Sequence, residues 1–233
     1  MFTDVGHACG DSLLLHLSHP QVPRPTTLTG ITSIPSQHAR SMERIADHQS
    51  SAPAQQCDVH LLCGDAIFRF DREDHPLNPI SSTPEFTSII AIDCAYHFAT
   101  REVFLRQSLT RLAPGGTIAL ADLAVSKPLP LILRTVLSKL LAVHSENMVT
   151  LETYQKQLKM IGYTNVHIED VSHNVFPGFQ QFLRSRGGLW RLMDFILRSW
   201  GAAGGRFLIV SASKPSDMAI ESPLHSKPEV HTP

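Results

Sequence analysis

Asp4-Val5-Gly6-His7-Ala8-Cys9-Gly10, followed by Asp11-Ser12 and the apolar run Leu13-Leu14-Leu15, sets the reading of the chain. An acidic residue, a tight turn of small residues and an immediate helix start form a strand-turn-helix signal for a nucleotide-like ligand. The glycines let backbone approach the ligand. The helix N-terminus offers free N–H groups and the positive end of the dipole to a carboxylate or phosphate. Gly-rich turns are common, so the signal gains weight only if later strands end in matching residues.

The bulk numbers narrow the class. A chain of 233 residues predicts one domain with a substantial core. With 42% apolar and 18% charged residues, the composition is that of a globular protein. A net charge of −1 without a long basic run argues against nucleic acid as a partner. Residues 1–20 carry no secretory signal, and no stretch reaches the roughly 18–20 apolar residues that span a bilayer. Cys9, Cys57, Cys63 and Cys94 form no CxxC pair, which predicts reduced thiols and a cytoplasmic location. The 13 histidines are scattered, and their spacing fits no metal-ligand pattern.

Outward from the opening turn, Met1–Val5 is the first expected strand, short for a buried central one, and 12–18 the first helix. A second strand covers 27–32, and a helix through about Asp47 starts from an N-cap at Ser33 or Ser36. Val59–Cys63 is a third strand ending at Gly64-Asp65-Ala66, before a long polar, proline-rich connection to Pro84. Phe86–Ile92 is a near-continuous apolar strand that runs into Asp93-Cys94-Ala95-Tyr96-His97. Thr100 caps a helix to Leu112 with Val103, Phe104, Gln107, Leu109 and Leu112 near one face; after a Pro114-Gly115-Gly116 turn, 117–123 is the fifth strand. Apolar strands alternating with helices predict a mostly parallel sheet covered on both faces. Leu129–Val143 is expected as a helix beside the sheet. Thr150 or Thr153 opens a helix ending at Gly162, 163–170 is a strand, 176–200 an aromatic-rich helical region and 206–212 the last strand. A disordered tail is expected over 216–233.

This order resembles the class I, seven-stranded, Rossmann-like S-adenosylmethionine-dependent methyltransferases, in the branch that methylates sterols, tocopherols, quinones and polyketides. The resemblance rests jointly on Asp4-x-Gly6-x-x-x-Gly10, Gly64-Asp65-Ala66, Leu112-Ala113-Pro114-Gly115-Gly116 and the closing 206–214 strand, and it covers residues 1–215. It implies an α/β fold with helices on both faces and an antiparallel last strand, with 126–149 and 172–205 as lid or substrate-cap segments. It also implies that Asp4, Gly6, His7, Ala8 and Gly10 shape the turn around the methionine part of S-adenosylmethionine. Thr32, Ser33 and Gln37 would grip the ribose with hydroxyl and amide groups. Asp65 would take the adenine amino group, with Gly64 and Ala66 beside it; Asp93, Cys94 and Ala95 would lie beneath the methionine carboxylate and sulfonium. Two departures stand out. Ala8 replaces a usual glycine, which is tolerable at negative φ and strained otherwise. The helices that precede the first strand in relatives have no counterpart here, which suggests a shortened N-terminus.

Methyl transfer to a hydroxyl or phenol needs a base, and His97 is the first candidate because imidazole titrates near neutrality. Asp122 and His144 are second candidates. The acceptor is expected to be small and apolar, with O- or C-methylation favoured. Phe176, Phe179, Phe182, Trp190, Phe195 and Trp200 either line its pocket or form ordinary core. Leu129–Val143 reads as a packing or cap helix, and peripheral membrane contact is also compatible with it. Two alternatives remain: a degenerate, non-catalytic methyltransferase-like binding domain, and a nicotinamide-binding oxidoreductase. The latter wants a ribose-binding acid about 20 residues after the turn, where this chain has Thr32.

Overall fold

The computed structural model describes residues 1–51, 57–70, 72–81 and 85–216. Among the described residues, seven strands form one sheet in the order β3-β2-β1-β4-β5-β7-β6. These are β1 (Phe2–Val5), β2 (Thr27–Thr32), β3 (Asp58–Cys63), β4 (Phe86–Ile92), β5 (Leu112–Val125), β6 (Thr164–Asp170) and β7 (Gly205–Ser213). The helices are α1 (Asp11–Ser18), α2 (Pro35–Ser51), α3 (Arg101–Arg111), α4 (Leu131–Leu141), α5 (Leu151–Ile161), α6 (Ser172–Arg186) and α7 (Trp190–Ala202). β1 pairs in parallel with β2 on one side and β4 on the other, so the strand order reverses beside β1. In open α/β sheets that reversal leaves a crevice at the carboxyl ends of the strands. β7 runs antiparallel to both β5 and β6, as expected for the last strand.

Leu28 and Ile31 lie an odd number of residues apart on β2 and face opposite sides of the sheet. Leu28 packs with Leu13, Leu17 and Ile45 under α1 and α2. Ile31 joins Ile89, Phe104, Leu105, Tyr154 and Leu158 under α3 and α5. A third cluster, Val125, Leu137, Val143, Met148 and Trp200, ties α4 and α7 to the end of β5. No described helix is long and apolar enough to cross a membrane.

Several boundaries differ from the sequence reading. β1 starts at Phe2, one residue later than expected. α2 opens on Pro35, where a proline loses no helical hydrogen bond, and runs to Ser51, past Asp47. The expected face of α3 holds at Phe104 and Leu112, both buried, and at Leu109, packed against the same cluster, while Val103 is exposed. Arg101, Ser108 and Arg111 complete the buried side, and apolar periodicity could not mark these polar positions. Pro114-Gly115-Gly116 falls inside β5, at a register shift against β4 between Phe86 and Ser88. The aromatic region divides into α6 and α7 at Gly187 and Gly188, both at positive φ. Of the expected tail, 217–233 lies outside the described residues.

Candidate functional site

The opening turn is built by backbone conformation. Gly6 and Gly10 sit at φ +86° and +87°, in the left-handed region that glycine enters without strain. At Gly6 a side chain is doubly excluded, because a Cβ would lie 2.4 Å from Cys94 Sγ. The Gly6 N–H donates to the Ile31 carbonyl (2.7 Å), and the Cys94 thiol donates to the Val5 carbonyl (3.1 Å). The turn is thereby stitched to both neighbouring strands. Ala8 lies at φ +48°, so its methyl group is held in the strained left-handed region. Arg44 of α2 braces the turn from outside, donating to the Cys9 carbonyl (2.8 Å) and to Asp11 (2.7 Å). Gly10 caps α1 with no side-chain hydrogen bond, which leaves the N-terminal N–H groups to other partners.

A cavity of about 510 Å³ opens above this turn, lined from four strand ends. The end of β1 gives Gly6 and Ala8; the end of β2 gives Ile31, Thr32, Ser33 and Ile34, with Gln37 from α2. Gly64, Asp65 and Ala66 follow β3, and Asp93, Cys94, His97, Phe98 and Ala99 follow β4. Eleven of the residues expected from the sequence therefore meet in one crevice. Asp4, His7, Gly10 and Ala95 do not line it; they lie beneath or beside it. Ile31, Ile34, Phe98 and Ala99 were not anticipated. Their signal was present, since each lies within a few residues of a strand end already singled out.

Polar groups in the crevice are partly committed. Asp65 accepts from the Ile67 N–H (3.1 Å) and from Arg69 Nε (3.0 Å), and as a two-oxygen acceptor it retains capacity for a further donor. The Thr32 hydroxyl donates to Gln37 Oε1 (3.3 Å). Asp93 takes the Tyr96 hydroxyl (2.7 Å), and burial on its inner side pushes its carboxyl pKa upward. Burial likewise pushes the Cys94 thiol well above the usual range, so it is an inert packing thiol.

His97 Nδ1 lies 2.7 Å from the Ala142 carbonyl oxygen. A carbonyl can only accept, so Nδ1 carries the hydrogen of this bond, and Nε2 is the ring nitrogen left to other partners. The Tyr96 ring packs at 4.2 Å between centroids. The turn that carries His97 is clamped by a side chain that sequence reasoning missed. Asn147, 2% exposed, donates through Nδ2 to the carbonyls of Phe98 (2.7 Å) and Tyr96 (3.0 Å) and accepts the Arg101 N–H (2.9 Å).

Arg101, also fully buried, donates to the Asn147 carbonyl (2.9 Å) and to Asp122 Oδ2 (2.9 Å), which also receives the Tyr154 hydroxyl (2.8 Å). Asp122 is thus paired and fully buried in the core and does not line the crevice, which takes it out of reach of an acceptor as a base. His144 does not line the crevice; its backbone N–H donates to Tyr96. No signal for Asn147, Arg101 or Tyr154 exists in local spacing, because their partners lie 21 to 51 residues away.

Beneath the turn are two buried groups with shifted titration. Asp4 accepts the Ser12 hydroxyl, and desolvation raises its pKa to about 6. The ring of His7 lies against Gly30, where a Cβ would come within 2.7 Å of it. Neither ring nitrogen has a partner among the described residues, and desolvation lowers the pKa to about 4. Among the described residues, no three His, Cys, Asp or Glu converge as a metal site.

No protein-family model matches the chain. Over 113 residues it is 32% identical to erythromycin 3''-O-methyltransferase of Saccharopolyspora erythraea, a match covering 42% of this chain and 35% of the enzyme. Phosphoethanolamine N-methyltransferase 2 of Haemonchus contortus, solved with S-adenosyl-L-methionine, superposes with a TM-score of 0.65 at 16% identity, over 92% of this chain and 48% of the enzyme. Geranyl diphosphate C-methyltransferase of Streptomyces coelicolor, solved with S-adenosyl-L-homocysteine, superposes with a TM-score of 0.66 at 13% identity, over 91% and 71%. The chain spans about a third of the curated relative and about half of the Haemonchus enzyme. With seven strands in this order, an antiparallel β7 and a crevice at the reversal beside β1, the chain has the class I, Rossmann-like fold of the S-adenosylmethionine-dependent methyltransferases.

Proposed function

We propose that the crevice binds S-adenosylmethionine and that the chain transfers a methyl group to a small, apolar acceptor, by O- or C-methylation. The observation that carries this reading is the convergence of four strand ends on one cavity, with Gly6 held so close to Cys94 that only backbone fits. The residues present suit the group. The volume is in the range of small-molecule sites, roughly 300–1,000 Å³. Ile31, Ile34 and Phe98 offer apolar walls to a base, and Thr32, Ser33, Gln37 and Asp65 offer hydroxyl, amide and carboxylate partners.

Asp65 would accept from the adenine amino group, and Thr32 and Gln37 would hold the ribose. The turn from Gly6 to Gly10 would take the amino-acid end, with Asp93 and Cys94 below it. When bound, the cofactor supplies an electrophilic methyl group, so the protein's task is positioning and exclusion of water. His97 Nε2 accepts the proton of an acceptor hydroxyl, while the Nδ1–H bond to Ala142 keeps the ring oriented. α4 and α7 pack at the carboxyl end of β5 and, with α6, would cap the acceptor. The domain runs from 1 to 215 in this reading, with 126–149 and 172–205 as its cap. Four unpaired cysteines support a cytoplasmic place for it.

The strain at Ala8 favours a second reading, a methyltransferase-like domain that binds without turning over. Thermal denaturation with S-adenosylmethionine, S-adenosylhomocysteine and NAD tests the binding. Stabilisation by the first two supports the proposal, and stabilisation by NAD alone contradicts it. A gain of one methyl mass on any acceptor then separates turnover from mere binding.

A further inference from the structure

The α6–α7 pair carries an outer surface that the fold does not use. α7 turns Asp194, Leu197 and Trp200 inward, and its opposite side presents Leu192 and Phe195, the latter 60% exposed. Phe179 and Phe182 of α6 are also exposed; Trp190, four residues before Asp194 and seven before Leu197, shares their stripe of α7 and is 51% exposed there. These apolar side chains are interleaved with Arg184, Arg186, Arg191 and Arg198, all of them exposed. The only acid in 172–202 is Asp194, which is buried and lies 3.2 Å from Arg198. Four arginines against one aspartate give this segment +3, in a chain whose net charge is −1. The Arg186 guanidinium stacks over the Phe182 ring at 5.0 Å, so charge and aromatic surface are joined directly.

We infer that the outer face of α6 and α7 is a docking surface for an anionic lipid bilayer. Exposed Phe and Leu flanked by arginine are the chemistry of an interfacial helix: the apolar side chains enter the acyl boundary and the guanidinium groups meet lipid phosphates. A second copy of this chain fits less well. A two-fold interface would set the arginines of one face against those of the other, and the single acid of the segment is already buried and paired. The pair lies between β6 and β7, at the end of the sheet where β5 finishes at Val125 opposite Gly205. That is the end at which the crevice opens, so a docked chain would present its acceptor side to the lipid. This last consequence rests on the proposed methyl transfer. The docking itself rests only on exposure and charge.

The chain contains two tryptophans, Trp190 on the stripe of Asp194 and Leu197 and Trp200, 1% exposed, in the core, so Leu192→Trp is the probe of the outer stripe. Titrating the full chain with phosphatidylcholine vesicles containing roughly one third phosphatidylserine should carry it down with sedimented vesicles. Leu192→Trp in a Trp190→Phe background should show a blue shift of fluorescence on the same titration while sedimentation is retained. Arg186→Gln with Arg191→Gln, both away from Asp194, should weaken binding by about fivefold per arginine, and added salt should weaken it further. Equal binding to pure phosphatidylcholine, no binding to either vesicle, or a concentration-dependent dimer that shifts the Leu192→Trp fluorescence without vesicles would each overturn the inference. Thermal shift by S-adenosylmethionine in the same samples reports on the crevice separately, so failure of either proposal is visible without the other.

Discussion

The turn at residues 4–12 and the buried network around Arg101 hold the two sides of the same crevice, by opposite means. The turn is local: glycines at positive φ, one close approach to Cys94 and backbone bonds to β2 shape it within a few residues. The network is long-range. Arg101, Asp122, Asn147 and Tyr154 come from four elements and fix the His97 turn with charged and amide side chains. One side depends on which backbone conformations are allowed. The other depends on every buried polar group finding its partner.

Removing one partner of the network should therefore have the largest effect. Arg101→Met leaves the Asp122 carboxylate buried and unpaired, and an urea titration should show a loss of about 3–5 kcal/mol. Arg101→Met with Asp122→Asn should recover part of that, because no uncompensated charge remains.

The turn carries a pH signature of its own. Asp4, raised to about 6, prefers the protonated form in the fold, so its cost is absent below about pH 4 and complete above about 6. His7, lowered to about 4, prefers the neutral form, so its cost is absent above about 6.5 and complete below about 4. The two trends oppose each other across the same window. Asp4→Asn should expose a fall in stability of about 3 kcal/mol on acidification through that window, and His7→Gln a comparable fall on the alkaline side, both read from denaturation midpoints against pH.

Backbone strain comes next. Gly6→Ala places a methyl at φ +86° against Cys94 and should cost about 2–3 kcal/mol in the same assay. Ala8→Gly relieves the left-handed strain but frees the unfolded chain, so a gain of about 0.5 kcal/mol is expected, the smallest change of the set.

The same contrast explains what the sequence disclosed. β4 was legible from end to end because Phe86–Ile92 is one apolar run closed by Asp93. Thr150 and Gly162 bound α5 as its capping chemistry implied. Strand-end residues on β1 to β4 could be placed in one crevice because parallel topology dictates where ligands sit. The buried face of α3 was legible at Phe104 and Leu112 only, since Arg101, Ser108 and Arg111 look solvent-facing until their distant partners are known. Asp122 looked like a base at a strand end for the same reason. Nor did the aromatic count of 176–200 show that Trp200 is core while Trp190 and Phe195 are surface; that depends on which side of α7 meets Val125 and Met148.

The central claim is that the crevice of four strand ends is a cofactor site. A calorimetric titration of S-adenosylhomocysteine into the full chain and into Asp65→Ala tests it most directly, because Asp65 is half-exposed at the rim and its loss leaves the core intact. Saturable binding is expected for the wild type and a loss of at least about tenfold in the variant, equivalent to about 1.4 kcal/mol. No heat of binding in the wild type, or equal affinity in the two chains, would contradict it.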